Sequence, residues 1–131
     1  MGELDKGWYL LLDTLNPERM SFSAAACGLG LLAIKKAVDY AKERKVFDAP
    51  IGSHQAVQFP LAEAKAKIEV ARLLNYKAAW LYDKGQDCGA EANMAKVAAV
   101  EAALALFFMR CRPSADMAMQ WSMMWSGGGG K

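Results

Sequence analysis

Residues 40–55 read YAKERKVFDAPIGSHQ, and they divide the chain into helical regions on either side. The first part of this stretch favours a helix, whereas the proline and the glycine between residues 47 and 53 interrupt one. Ser53 belongs to the residue types that cap helices, so we expect another helix to begin directly after it. The stretch therefore predicts a tight connection between two long helices.

The helix before this connection is predicted to begin at Asn16. Asparagine is a favoured N-cap, Pro17 suits the first helical position, and Glu18 suits the positive end of the helix dipole. Apolar residues then recur at helical spacing as far as the connection. Gly28 and Gly30 lie within this helix, and we interpret them as points of close approach to another helix.

Further helices are predicted after the connection. The second helix should run to about residue 84, with Pro60 bending its first turns and Gly85 at its C-terminal cap. An alanine-rich third helix is predicted over residues 90–109, and a shorter fourth one over residues 114–125. Helices joined by such short loops predict an all-α, up-down four-helix bundle.

The composition agrees with this fold class. Alanine supplies 24 of the 131 residues and leucine 14, whereas valine, isoleucine and threonine together supply 10, a balance that favours helices. We assign a lead-in segment to residues 1–15, the bundle domain to residues 16–125 and a flexible Gly-rich tail to residues 126–131.

Charge and apolar patterning narrow the possible partners. A net charge of +2 argues against a nucleic-acid partner. The longest apolar run covers residues 102–109, well short of the ~20 residues that a membrane span needs. The first residues also lack the pattern of a secretory signal. We therefore expect a cytoplasmic domain with no membrane partner.

Two common kinds of site in helical bundles are not predicted. A metal–carboxylate bundle needs Glu-x-x-His pairs, and His54, the single histidine, has no glutamate at that offset, so we expect no metal. Cys27, Cys88 and Cys111 are widely spaced and form no CxxC pattern, which indicates core residues rather than a disulfide or zinc site. Glu18 and Arg19 leave two interpretations open, a solvated capping pair or a base beside a guanidinium.

The connection also resembles a known family signature. Residues 40–55 resemble the pattern Y-A-x-x-R-x-x-F-G-x-P-I-x-x-x-Q of the C-terminal α-helical domain of acyl-CoA dehydrogenases. Several further blocks occur in the family's order between residues 7 and 103: GW, LNPER, QFPLAE, ARLL, AAW, DKG, AKVA and EAA. Independent blocks in the right order are far more specific than any one of them.

The resemblance implies a cofactor, FAD, that neighbouring subunits share. It implies that Arg44 and Phe47 reach the adenosine diphosphate part of the FAD held by the partner subunit, and that Gln55 and Gln120 lie near the cofactor. The chemistry is reasonable, because an arginine fork suits a pyrophosphate and an aromatic face suits an adenine.

The resemblance also implies the reaction, an α,β-dehydrogenation of an acyl-CoA thioester. It places Arg19 on the acyl-CoA side of the active site. It places Glu18 where isovaleryl- and long-chain-type members carry their catalytic base. The expected partners are the acyl-CoA substrate and either further copies of the chain, as a dimer or tetramer, or a larger dehydrogenase subunit.

The chain departs from the family pattern in three ways. Asp48 replaces the family glycine, residues 104–114 resemble an insertion, and the 131 residues contain neither the N-terminal helical domain nor the middle β-domain. We therefore expect a C-terminal piece of a dehydrogenase that is inactive alone. The alternatives are a catalytically inactive helical oligomerisation module and a subunit that completes a cofactor site on another chain.

Overall fold

The computed structural model describes residues 5–109, with side chains from residue 5 to residue 106. The fold is all-α, as predicted, and three helices pack against one another in pairs. The predicted fourth helix, Cys111, Gln120 and the Gly-rich tail lie outside the described residues. The elements in chain order are α1 (Gly7–Glu43), β1 (Lys45–Val46), β2 (Ala49–Pro50), a short 3-10 turn (Ile51–Ser53), α2 (Gln55–Asp83) and α3 (Gly89–Met109).

The predicted start of α1 at Asn16 is wrong. The helix begins at Gly7 and continues through Pro17, which lies in its interior. Pro17 costs one backbone hydrogen bond, whereas a helix end at this point would leave several N–H and C=O groups without helical partners. Because the residues before it are also helical, Asn16 caps no helix, and Glu18 does not lie in the first turn.

The buried residues of each helix follow a heptad spacing of alternating three and four residues. This spacing places one narrow face of every helix, which we call the inner seam, against the other two helices, as in a coiled coil. The inner seam contains Met20, Ser23, Cys27, Gly30, Ile34, Ala37 and Ala41 of α1, Ala64, Ile68, Ala71, Asn75 and Ala78 of α2, and Cys88, Ala92, Ala95, Ala99 and Ala102.

Close approach between helices is visible at Gly30. A Cβ atom placed on this residue would overlap Cδ1 of Ile68 and lie 3.6 Å from Cδ1 of Leu106. The interpretation of Gly30 as a packing glycine is therefore confirmed. The same interpretation of Gly28 is wrong, because nothing lies within 4 Å of a Cβ atom placed there.

The two described cysteines are core residues, as predicted. Cys27 and Cys88 are buried and form no disulfide. Burial raises the pKa of both thiols, because it disfavours the charged thiolate. Neither thiol is therefore poised as a nucleophile at neutral pH.

The predicted C-terminal cap of α2 is correct, whereas its predicted N-cap is not. Gly85 has a φ of +67° and donates its N–H to the carbonyl of Tyr82 at 2.9 Å, while Gln86 donates to Leu81 at 3.0 Å. This pair of bonds is a Schellman cap, so the predicted C-terminal cap is confirmed. The predicted N-cap, Ser53, is wrong by one residue, since its hydroxyl donates back to the carbonyl of Pro50 at 2.7 Å.

Among residues 5–109, one helix meets the length and composition test for a membrane span. That helix is α1, in which an 18-residue window has a mean hydropathy of 1.3 and is 28% buried. Core helices of globular domains meet the same test. In this structure α1 contributes seven buried residues to the inner seam.

Candidate functional site

The connection between α1 and α2 forms a small β-hairpin, which we call the hairpin corner (residues 44–55). Arg44 ends α1, because its N–H donates to the carbonyl of Tyr40 at 2.9 Å. Its own carbonyl accepts a hydrogen bond from the N–H of Ile51 at 2.8 Å. Between these points β1 and β2 pair antiparallel. The chain therefore reverses direction within a few residues.

The tip of the hairpin is a strained turn. Phe47 has a φ of +53° and Asp48 a φ of +64°, as in the two central residues of a type I′ turn. This conformation costs an ordinary L-residue about 1–2 kcal/mol, and aspartate tolerates it better than phenylalanine does. Residual strain of this kind clusters at ligand-binding sites.

The strained turn holds an aromatic ring away from the bundle. The side chain of Phe47 is 93% exposed. An exposed ring of this size is unfavourable in water unless another molecule covers it. The ring is therefore available as a flat apolar contact for a ligand or a neighbouring protein chain.

Two further predicted cofactor residues belong to the hairpin corner. Arg44 precedes β1 and Gln55 is the first residue of α2, and both side chains are exposed. Within the described residues, the Arg44 guanidinium forms no ion pair. Arg44, Phe47 and Gln55 thus all lie in the hairpin corner with exposed side chains. The fourth predicted cofactor residue, Gln120, lies outside the described residues.

An open apolar cavity of about 420 Å³ lies beside the hairpin corner. The corner packs tightly on α1 here, since a Cβ atom on Gly52 would lie 3.0 Å from the carbonyl oxygen of Ala41. The amide of Gln58 fixes the loop by donating to the carbonyl of Gly52 at 2.7 Å. The lining residues are Val38, Ala41, Lys42, Pro50, Gly52, Ser53, Val57, Gln58 and Leu61.

The cavity was not predicted from the sequence. Val57 and Leu61 fit the apolar face of α2, and this pattern alone indicates only a core position. The cavity exists because the end of α1, the hairpin corner and the start of α2 diverge at this point. No short-range sequence pattern predicts where these three elements diverge.

Glu18 and Arg19 lie far from the hairpin corner. Twenty-five residues separate Arg19 from Arg44 along α1, which corresponds to about 38 Å at a helical rise of 1.5 Å per residue. The structure therefore does not unite the predicted substrate residues with the predicted cofactor residues. The predicted site residues of the described part of the chain thus form two separate groups, which we call the two functional ends.

The two residues at the far end differ in their surroundings. Glu18 is exposed, and it forms no ion pair within the described residues. Arg19 is half-buried, and its Nη1 donates to Oδ1 of Asn16 at 3.0 Å. The interpretation of Glu18 as a capping partner of Arg19 loses its basis, because this part of α1 is helix interior.

The ion pairs of the described residues lie elsewhere. Glu63 pairs with Lys67 at 2.7 Å, and Glu91 of α3 pairs with Lys77 of α2 at 3.0 Å. The hydrogen bond from the lysine lowers the pKa of each of these carboxyls. Within residues 5–106 no cluster of three or more histidine, cysteine, aspartate or glutamate side chains is arranged to hold a metal ion.

Comparisons with known proteins agree with the fold. A family model described as "Acyl-CoA dehydrogenase, C-terminal domain" matches residues 5–107. The acyl-CoA dehydrogenase FadE12 of Mycobacterium tuberculosis is 49% identical over 104 residues, which cover 78% of this chain and 27% of that protein. The bovine mitochondrial short-chain specific acyl-CoA dehydrogenase is 41% identical over 106 residues, which cover 81% of this chain and 26% of that protein.

A solved structure gives the same result for the fold. Butyryl-CoA dehydrogenase from Megasphaera elsdenii superimposes with a TM-score of 0.73 at 30% sequence identity, covering 94% of this chain and 35% of that protein. The chain thus spans roughly a quarter to a third of the length of the proteins that it matches.

Proposed function

The chain belongs to the acyl-CoA dehydrogenase family as a C-terminal domain, and from this premise we propose that it serves a flavin-dependent acyl-CoA dehydrogenase. Members of this family are flavoproteins. In the proposed role the domain contributes to the binding of FAD and of acyl-CoA and to oligomerisation. The reaction is the α,β-dehydrogenation of an acyl-CoA thioester.

The hairpin corner is the observation that carries this proposal. Its chemistry fits FAD, because an unpaired arginine fork matches a pyrophosphate and an exposed aromatic face matches an adenine. In the proposal Arg44 holds the pyrophosphate, Phe47 stacks on the adenine and Gln55 donates hydrogen bonds from its amide. Gln120 is proposed as a further residue near the cofactor.

The separation of the two functional ends supports an assembly of subunits. About 38 Å of α1 lies between Arg19 and Arg44. In the proposal the hairpin corner therefore serves the FAD of a neighbouring subunit, while Glu18 and Arg19 serve the substrate of their own subunit. A homo-oligomer, as a dimer or tetramer, satisfies this arrangement.

Glu18 and Arg19 have distinct roles in the proposed reaction. The carboxylate of Glu18 removes the α-proton of the thioester, and exclusion of water from the closed site would make it a stronger base. The guanidinium of Arg19 donates hydrogen bonds to oxygen atoms of the substrate. Bound FAD supplies the acceptor for the hydride that leaves the β-carbon.

The location and the excluded partners remain sequence-based predictions. We propose a cytoplasmic location and no nucleic-acid partner, on the grounds of composition and charge alone. A larger dehydrogenase subunit is the alternative protein partner.

The proposal is tested in a chimera, a full-length dehydrogenase in which residues 5–107 of this chain replace the matching segment of the mycobacterial relative. We expect the chimera to bind FAD and to oxidise an acyl-CoA. Glu18→Gln should abolish turnover and leave FAD bound, because it removes the base alone. Glu101→Gln on the exposed face of α3 is the matched control and should leave turnover unchanged.

Two results would contradict the proposal. Unchanged turnover in Glu18→Gln would remove the assignment of the base. If the chimera folds but neither retains FAD nor turns over substrate, the domain would instead be a helical oligomerisation module.

A further inference from the structure

The side chain of Asn16 has a role that its position in the sequence does not reveal. Asparagine before proline is typical of a helix start, yet α1 continues through this residue. The side chain therefore has no backbone end to cap. Its Oδ1 instead accepts a hydrogen bond from Nη1 of Arg19, one turn further along the helix, at 3.0 Å.

The other side of Asn16 faces the start of α3. Its Nδ2 would lie 3.9 Å from a Cβ atom placed on Gly89. Gly89 is itself fixed, since its N–H donates to Oδ1 of Asp87 at 3.0 Å. Asn16 is half-buried between α1 and the α2–α3 connection. Its Nδ2 therefore lies near the start of α3, while its Oδ1 accepts the hydrogen bond from Arg19.

Arg19 retains its charge and most of its donors in this arrangement. A guanidinium carries five N–H donors, and a neutral amide occupies one of them here. Within the described residues no carboxylate pairs with Arg19. Arg72 shows the opposite arrangement, because it donates to both oxygens of Glu69 and to the hydroxyl of Tyr76. Arg72 is committed to its own helix, whereas Arg19 is oriented but available.

We propose that Asn16 is a positioning residue that orients the guanidinium of Arg19 towards the oxygen atoms of the acyl-CoA substrate while leaving its positive charge unneutralised. This inference rests on the proposed function for its substrate. The choice of an amide is central to it. An aspartate would form a similar hydrogen bond but would cancel the charge that attracts an anionic or carbonyl oxygen.

The first test uses the 131-residue chain and needs no substrate. Asn16→Ala should increase the motion of the Arg19 Nε–H group, measured by ¹⁵N relaxation, because its hydrogen-bond acceptor is lost. Asn93→Ala, which removes an exposed asparagine on α3, is the matched control and should leave that motion unchanged. Since alanine favours helices, the variant should keep the helix content of the parent.

The second test uses the chimera and separates orientation from charge. Asn16→Ala removes the hydrogen bond to Arg19, and Asn16→Asp neutralises the positive charge of Arg19. Each variant should therefore raise the KM for acyl-CoA by about tenfold, with a smaller change in kcat. Asn16→Asp should nevertheless keep Arg19 rigid in the relaxation experiment. A merely structural role of Asn16 would lower the thermal stability of both variants, and it would not make the motion of Arg19 differ between them.

Three outcomes decide the inference. Unchanged Arg19 motion and unchanged KM in Asn16→Ala would overturn it, and a normal KM in Asn16→Asp would overturn the role of charge. If the parent chimera shows no turnover, the proposed function fails. The relaxation experiment still reports then whether Asn16 orients Arg19.

Discussion

The inner and outer faces of the three helices differ in side-chain size, with small residues inside and large apolar residues outside. The inner seam consists mainly of alanine and other small residues, and Ile68 is the one large side chain described that is fully buried. The outer faces carry large apolar side chains instead. Exposure reaches 68% at Leu29, 67% at Leu73 and 57% at Trp80.

This difference shows that the described helices pack closely with one another and leave large apolar side chains exposed on their outer faces. Small seam residues let the helices approach closely, but each of them buries little apolar area. The large outer side chains would gain most of their burial from protein outside residues 5–109. Exposed apolar surface on this scale marks contact with other domains or subunits.

Replacing Ile68 tests the inner seam and should have the largest effect on stability. Ile68→Ala should lower the free energy of unfolding by about 3 kcal/mol, because it removes the one large side chain described that is fully buried and leaves a cavity. Urea denaturation measures this change. Val70→Ala, two residues away and 62% exposed, is the control and should change stability by less than about 0.5 kcal/mol. Equal effects would contradict the assigned seam.

Adding charge to the outer face should weaken self-association. Leu73→Lys should lower the association constant by at least about tenfold, because a charge would be buried in an apolar contact. Sedimentation equilibrium of the full chain measures it. Gln86→Lys adds the same charge to the exposed α2–α3 connection and should leave the mass unchanged. Identical masses for both variants would show that this face contacts no other copy.

The inner seam was predictable from the sequence for α2 and α3 but not for α1. Helical periodicity predicted α1 as a helix, but the apolar residues that recur in it include Phe22 and Leu29, which are 56% and 68% exposed. The periodicity predicted the three described helices, and the approach of Ile68 to Gly30 follows from the small residue there. Gly85 was also predictable, since a glycine after an apolar helix is a strong end signal. The helix periodicity and the Gly85 cap depend on residues that are near one another in the chain, whereas the identity of Ile68 as the partner of Gly30 comes from the structure.

Helix starts and the hairpin corner were less predictable. Asn16-Pro17 gives a start signal that the continuing helix overrides, since one lost hydrogen bond costs less than a helix end. Phe47 and Asp48 lack the glycine that usually marks a type I′ turn. The family resemblance identified Arg44, Phe47 and Gln55 as candidates, but only the structure shows how far they lie from Glu18.

Restoring the family glycine at the hairpin tip should stabilise the corner modestly. Asp48→Gly should raise the free energy of unfolding by about 0.5 kcal/mol, because relief of the left-handed conformation exceeds the added freedom of the unfolded chain. It should also increase FAD retention in the chimera by removing a negative charge near the proposed pyrophosphate site. Asp48→Asn removes the charge without adding glycine, so it should increase FAD retention without raising the free energy of unfolding. Lower retention in both variants would contradict this placement.

The ion pair between α2 and α3 should contribute a small dependence of stability on pH. The hydrogen bond from Lys77 lowers the pKa of Glu91 from its ordinary value of 4.5. The pair therefore stabilises the fold above that value, and the stabilisation is lost as the pH falls through the lowered pKa. In urea titrations Glu91→Gln should reduce this acid sensitivity, whereas Glu101→Gln should not. An unchanged pH profile in Glu91→Gln would show that the pair is not formed in solution.

The most direct test of the account is the flavin content of the chimera with and without the hairpin corner side chains. The visible flavin absorbance per protein should be stoichiometric in the parent chimera after gel filtration. It should fall by at least about tenfold in the Arg44→Ala, Phe47→Ala double variant, with helix content unchanged. Equal flavin retention in the two proteins would contradict the assignment of the hairpin corner to the cofactor.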